Sequence, residues 1–286
     1  MRKAVWFCCL FASAPLLAGC NLFPQIGHGK GDKSTKDAVA GAPGKYSLRV
    51  SQFIFLSDVE LQREQPMLKD LSNLREQVYR ELKLPPSSAD VFVYLFDSET
   101  AYKKFIHAKY PKLPDRRAYF IAQPRSVGGA DELSVYTYVG DNTRKDLRHE
   151  LTHAMLHCVL KKVPIWLDEG LAEFFELPPN QDGVNAKHLE NLRGMNFDLA
   201  RLEQLKEVHQ MSPGEYRESW AWVHLMLRST PQAKQALLAY LQELRVNPEP
   251  DPLRPRLASA FVSLEPALQS HLTELDRKLS RSASAK

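Results

Sequence analysis

From Tyr46 onward apolar positions recur at short, regular intervals, and the interval changes along the chain. Val50 to Leu56 reads as an extended run, and Val91 to Phe96, Tyr119 to Ala122 and Leu133 to Val139 read as strands. The stretches from about Glu60 to Leu82 and from Thr100 to Tyr110 carry the three-to-four-residue spacing of amphipathic helices. From Thr143 the spacing is helical almost to the end, in segments broken by Pro164, Pro178-Pro179, Pro213, Pro231 and the stretch Pro248 to Pro255. The pattern predicts an α+β protein. A mixed α/β lobe with a small sheet covers residues 46–176, a mainly helical lobe covers 177–275, and residues 276–286 form a disordered tail. No internal repeat is present, and one two-lobed unit suits the length of the folded body.

The first 45 residues follow neither periodicity. Met1-Arg2-Lys3, an apolar stretch from Ala4 to Leu17, and then Leu17-Ala18-Gly19-Cys20 have the order of a secretory signal peptide. The apolar stretch is shorter than the ~20 residues that span a bilayer comfortably. Small residues just before a cysteine resemble the bacterial lipobox. That resemblance implies a signal peptide over residues 1–19, lipidation of Cys20 as the new N-terminus, and membrane attachment through that lipid. The alternative is plain cleavage near Ala18. Asn21, where an aspartate would argue for inner-membrane retention, leans toward the outer membrane of a cell envelope, with the body facing the periplasm. Residues 20–45, rich in Gly, Ser, Lys and Ala, have the composition of a flexible tether.

Composition adds exclusions. With 44% hydrophobic and 25% charged residues the chain is neither disordered throughout nor a multi-span membrane protein. The net charge of +4 belongs to the ends, because from residue 46 on basic and acidic residues balance at 32 each, so nothing points to nucleic acid. Cys8 and Cys9 fall in the leader, and lipidation of Cys20 would leave Cys158 without a disulfide partner, as a small buried hydrophobe.

The candidate chemistry begins at His149-Glu150-Leu151-Thr152-His153, an HExxH string. Two histidines four apart on a helix differ by about 40° in azimuth, so both rings can address one ion. Thr143 and Asp146 make a capping signal, and Leu147, Leu151, Ala154, Met155 and Cys158 form an apolar stripe opposite the histidines. Downstream lies Trp166-Leu167-Asp168-Glu169-Gly170-Leu171-Ala172-Glu173. Here Leu167, Leu171, Phe174 and Phe175 share one helical face and Glu169, Glu173 and Glu176 the other. A solvated acidic face and a pair of surface histidines are the bland alternatives.

HELTH followed by WLDEGLAE resembles the gluzincin metallopeptidases, and the W-L-x-E-G-x-A pattern is also that of the large zinc aminopeptidases. The wider order of elements resembles the bacterial peptidase MA-like domains and covers most of residues 46–275, implying a thermolysin-like architecture. Carried over, His149, His153 and Glu169 would bind one zinc ion and Glu150 would be the general base. Three protein ligands leave one position for water, whose pKa falls to roughly 7 on zinc. Glu173, one turn beyond Glu169, could accept a hydrogen bond from a ligand histidine. Ser212-Pro213-Gly214-Glu215 reads as a capping box opening another helix, on which Tyr216 resembles the catalytic tyrosine of the aminopeptidases. Tyr216 is therefore the candidate oxyanion donor, with His224 competing and amphipathic packing as the alternative. His157 lies one turn beyond His153, too far along the helix for the same ion, and reads as packing or as a hydrogen-bond partner.

The strand Leu133 to Val139 resembles the edge strand along which gluzincins bind an extended peptide, approached by a loop containing Gly128 and Gly129. No Gly-x-Met-Glu-Asn segment is present, so the amino-terminal grip of the aminopeptidases is missing and an endopeptidase is favoured. The 15 residues between His153 and Glu169 require a tight loop. The resulting expectation is a lipid-anchored zinc peptidase acting on peptides or proteins of the cell envelope. Its rivals are a scaffold of the same fold without turnover and a zinc-binding lipoprotein.

Overall fold

The computed structural model describes residues 6–7, 41–62, 65–124 and 131–284. All of the expected signal peptide but Trp6 and Phe7, Cys20 and almost all of the tether therefore lie outside the described residues, as do Gly128 and Gly129.

The first half builds one sheet. Its strands are β1 (Trp6–Phe7), β2 (Tyr46–Val50), β3 (Phe53–Ser57), β4 (Val91–Phe96), β5 (Ala118–Gln123) and β6 (Glu132–Tyr138), in the spatial order β1-β5-β6-β4-β3-β2. β3, β4 and β6 run parallel, β2 and β5 antiparallel to their neighbours, and the two-residue β1 pairs antiparallel with β5. The expected extended run from Val50 to Leu56 is instead a hairpin. Ser51 turns the chain with φ of 56°, and Gln52 is drawn inward, where its amide accepts from Arg75 at 2.7 Å. Strand Leu133 to Val139 is not an edge either, since β6 is flanked by β4 on one side and β5 on the other. Its five consecutive buried residues are what pairing on both sides produces. Among the strands of the folded body, β5 is the border on that side.

Helix α1 (Pro66–Glu81) starts later than the expected Glu60 because Pro66 takes the first helical position, where its missing N–H costs nothing. α2 (Glu99–Lys109) covers one face of the sheet through Phe105, Ile106, Tyr119 and Tyr136. α1 and α3 (Thr143–His157) cover the other, with Leu71, Val78, Leu147 and Leu151 against Phe55, Val93 and Val135.

The same apolar core runs on into the helical half without a break. α4 (Ile165–Phe175) lies between α3 and α7 (Pro213–Arg228). Around these stand the short α5 (Ala186–Asn191) and α6 (Leu199–Glu203), then α8 (Pro231–Leu244), α9 (Leu253–Ala258) and α10 (Leu264–Ser284). The tail expected to be disordered from residue 276 is part of α10 up to Ser284. Leu268, Leu272 and Leu275 are buried, Leu279 packs beside them, and Arg193 pairs with Asp276 at 2.9 Å, so the amphipathic stripe outlasts the expected boundary. Among the described residues no helix is long and apolar enough to cross a membrane.

A buried ion pair ties α3 to α1, and its arginine also donates to the Phe175 carbonyl at the end of α4. Arg148 on α3 is 1% exposed and bonds Asp70 on α1 at 3.1 Å, while Arg144 reaches the same carboxylate at 2.8 Å. Burial works against the charged carboxylate, but the two guanidiniums outweigh it and hold Asp70 below the ordinary aspartate range. Removing one member of such a pair strands the other. Arg148→Ala is expected to lower unfolding stability by about 3 kcal/mol in urea titrations at neutral pH. A carboxyl held low when folded contributes fully above its unfolded pKa of about 3.9 and loses that contribution as pH falls through the folded value. The stability curve of wild type should therefore drop below about pH 4, and Asp70→Asn should flatten that part of the drop.

Candidate metal centre

α3 begins at Thr143, but not by the expected capping signal. Asn142 holds the cap position without a side-chain cap, the Thr143 hydroxyl accepts from Gly140 N at 2.7 Å, and Asp146 turns to Arg117 at 2.6 Å. The stripe from Leu147 to Met155 is buried as its spacing predicts, which turns His149 and His153 toward α4. α4 is apolar nearly all round, so its two buried acids, Asp168 and Glu169, each 1% exposed, stand in a dry environment and do not form a solvated acidic face.

α3 and α4 run antiparallel, and the contacts sort accordingly. Glu169 Oε2 lies 3.4 Å from His149 Nε2 and 3.5 Å from His153 Nε2. The far nitrogen of each ring is held by another carboxylate, His153 Nδ1 by Asp168 at 2.9 Å and His149 Nδ1 by Glu176 at 3.3 Å. Asp168 also bonds His157 Nε2 at 3.0 Å, so His157 supports the aspartate that orients its neighbour. A carboxylate on each Nδ1 orients the ring so that Nε2 faces Glu169, which is the arrangement metal-ligating histidines need.

The three donor atoms fit an ion. Bonds of about 2.0–2.1 Å at a tetrahedral angle put ligand atoms about 3.4 Å apart, and the two histidine-to-glutamate separations are 3.4 and 3.5 Å. Glu169 Oε1 is buried without a hydrogen-bond partner among the described residues, a costly state that a cation would relieve. His149, His153 and Glu169 can thus hold one ion. A second trio, His149, Glu173 and Glu176, also converges, but there Lys145 already neutralises Glu176 at 2.8 Å.

Electrostatics follow the same geometry. Burial disfavours charge on His149, yet hydrogen bonds to Glu169 and Glu176 outweigh it and push the ring up to about 10. Burial likewise opposes ionised Glu169, and the two imidazoles overcome it and draw the carboxyl down to about 2. The proton therefore sits on His149 beside an ionised Glu169, and a bound cation would replace it. Glu150 differs. Burial raises its pKa above the ordinary glutamate value, against the partial relief offered by His149, His153 and Arg116.

Glu150 opens onto a cleft of about 260 Å³ beside His149, bordered by Arg116, Arg117 and Ala118 from the start of β5. The remaining candidates fall into two groups. Glu173 borders this cleft but bonds His188 at 2.8 Å; the ligand rings are served instead by Asp168 and Glu176, which face α3 across the antiparallel contact. Tyr216 follows the expected capping box of Ser212 and Glu215, and its hydroxyl accepts from Arg116 at 3.2 Å, which puts it next to a residue of the cleft. His224 is turned into the helical core, against Phe174 and Trp220 and bonded to His271 at 2.9 Å. Cys158 is a free thiol, pushed up to about 11 by burial.

Sequence reasoning passed over Arg116, Asp168 and Glu176 as participants. Asp168 and Glu176 were readable as acids flanking Glu169 at helical spacing; Arg116 carried no local signal. The chain matches no family model and no curated protein.

Asp168→Asn keeps the shape and removes the charge behind His153. With zinc as the probe ion for the candidate site, the substitution is expected to weaken any binding by about 10- to 100-fold, measured by competition with a chromophoric chelator, with an unchanged circular dichroism spectrum. Undiminished affinity would show that Asp168 does not orient the ligand.

Proposed function

We propose that the protein is a zinc-dependent peptidase, more specifically an endopeptidase of gluzincin type. The observation that carries this reading is the convergence of two histidine Nε2 atoms and one buried carboxylate, each ring secured from behind, with Glu150 in the adjoining cleft.

His149, His153 and Glu169 would hold the ion, and their nitrogen and oxygen donors are of the type zinc accepts. Zinc bound there supplies Lewis acidity toward a carbonyl oxygen and a water of lowered pKa. Glu150 then acts as general base. Its burial and raised pKa suit a carboxylate that must both take a proton from water and return it to the leaving amine. Tyr216, whose hydroxyl accepts from Arg116 beside the cleft, would donate to the negative charge that develops on the substrate carbonyl.

The peptide's place follows from the sheet. β5 brings Ala118 to the cleft and leaves its outer side to an added strand, and the chain's own Trp6–Phe7 pairs there antiparallel. An extended substrate can pair in the same way, by main-chain hydrogen bonds independent of sequence. The lipid-anchored envelope location remains our reading of the leader ending at Cys20.

Two measurements test these proposals. Elemental analysis of the mature protein should find one zinc per chain, and Glu150→Gln should retain it while cutting turnover of unstructured peptides by about 10²- to 10⁴-fold. Absence of zinc, or full activity in that variant, would sink the enzymatic reading. Cys20→Ala should move the protein from the membrane pellet to the soluble fraction of fractionated bacteria; unchanged pelleting would overturn the lipid anchor.

A further inference from the structure

A second and larger cavity, of about 440 Å³, lies along the same strand as the metal centre. Residues 118, 120 and 122 of β5 fall on one face of the sheet by alternation. Ala118 borders the cleft with Glu150, whereas Phe120 and Ala122 border the second cavity. α3 keeps pace beneath them, with His149 at the cleft and His157 at the cavity. Eight helical residues rise about 12 Å and four strand residues about 13 Å, so the two hollows are successive stations on one track.

A strand added to β5 is directional. Trp6 pairs with Ala122 and Phe7 with Ile121, so an antiparallel chain on this edge runs from the cavity end toward the cleft end. Residues opposite one another in an antiparallel pair project to the same face. Side chains opposite Ala122 and Phe120 therefore point to the cavity's side of the sheet, and the residues that follow them reach Glu150.

We infer that this cavity is a substrate subsite for a large apolar or aromatic side chain, carried on the amino-terminal side of the cleaved bond and about two to four residues before it. The inference rests on the peptidase reading and deepens it by naming the substrate class. Phe120, Ile165, Leu205, Val208 and Tyr240 give the cavity apolar walls. The acids at its border outnumber the lysines, but Asp168 is answered by His157, Glu249 by Lys162 and Glu203 by the N–H groups of Leu253 and Arg254. That leaves Lys206 and Glu207 of opposite sign and the apolar walls to set the selection. The cavity also touches His157 and Asp168, so its occupant leans on the pair that orients His153.

Binding reads this subsite without turnover. Fluorescein-labelled octapeptides of serine and threonine, with a single phenylalanine walked through every position, are titrated against the mature Glu150→Gln protein by anisotropy. One register should bind roughly tenfold or more tighter than the all-polar peptide. That advantage should vanish in the added variant Leu205→Trp, which fills the cavity from a half-buried wall position, while the all-polar peptide binds as before. Should that variant not fold, Ile165→Trp narrows another wall. Equal binding at every phenylalanine position, or an advantage that survives both fillings, overturns the inference. Wild-type turnover of the same peptides separates the two proposals. Cleavage indifferent to phenylalanine sinks the subsite alone, and phenylalanine-dependent binding with no cleavage sinks the peptidase alone.

Discussion

The antiparallel contact between α3 and α4 is held at both ends by buried charge, and the rest of the site is strung between those ends. At one end Arg148 donates to the carbonyls of Phe175 and Leu177, where α4 runs out of intrahelical donors, and to Asp70 on α1. At the other end Asp168, in the first turn of α4, receives His153 and His157 from the last turns of α3. With both ends fixed, neither helix can slide by a residue without breaking several charged hydrogen bonds. The position of Glu169 opposite the two Nε2 atoms is a consequence of that register.

Dense buried charge of this kind opposes folding unless each group is answered. Asp168, Glu169 and Glu176 are all buried, and the cations facing them are imidazoles and one lysine. The direction of the pKa shifts shows how the balance falls, with Glu169 driven down and His149 driven up, as an ion pair requires. Glu150 sits within the same field but gains less from it, so burial prevails and its pKa rises. Neighbouring carboxylates are thereby driven in opposite directions, Glu169 down by the two imidazoles and Glu150 up by burial.

The sequence disclosed these elements unevenly. Strands β4, β5 and β6 and helices α2, α3, α4 and α7 were legible because their periodicity is long and their breakers are prolines. HExxH and the glutamate helix were legible because both donor sets lie on single helices, where spacing converts directly into direction. What could not be read depends on pairing between segments. Nothing local distinguishes β5 from β6 as the border strand, since both are apolar and the order of strands is a property of the whole sheet. Ser51 and Gln52 look like part of one extended run until β2 folds back on β3. Arg148 reads as an ordinary helical arginine, and its burial follows from where Asp70 and the end of α4 arrive. Glu173 and Glu176 are equivalent on a helical wheel, and the antiparallel direction of α4 decides that Glu176 meets His149 while Glu173 meets His188.

Gly170 shows how a motif can carry packing and chemistry together. A Cβ at this position would lie 2.6 Å from the Ser219 carbonyl oxygen on α7, closer than any side-chain carbon can stand. The clash is with backbone, so no rotamer change relieves it, and α7 would have to move away. α7 is also the helix whose first turn holds Tyr216 against Arg116. The glycine following Glu169 therefore sets how near α7, with Tyr216 in its first turn, comes to the helix that carries Glu169. Residues that contact nothing reactive can thus be as demanding in type as the ligands, because the distance between two helices is itself part of the site.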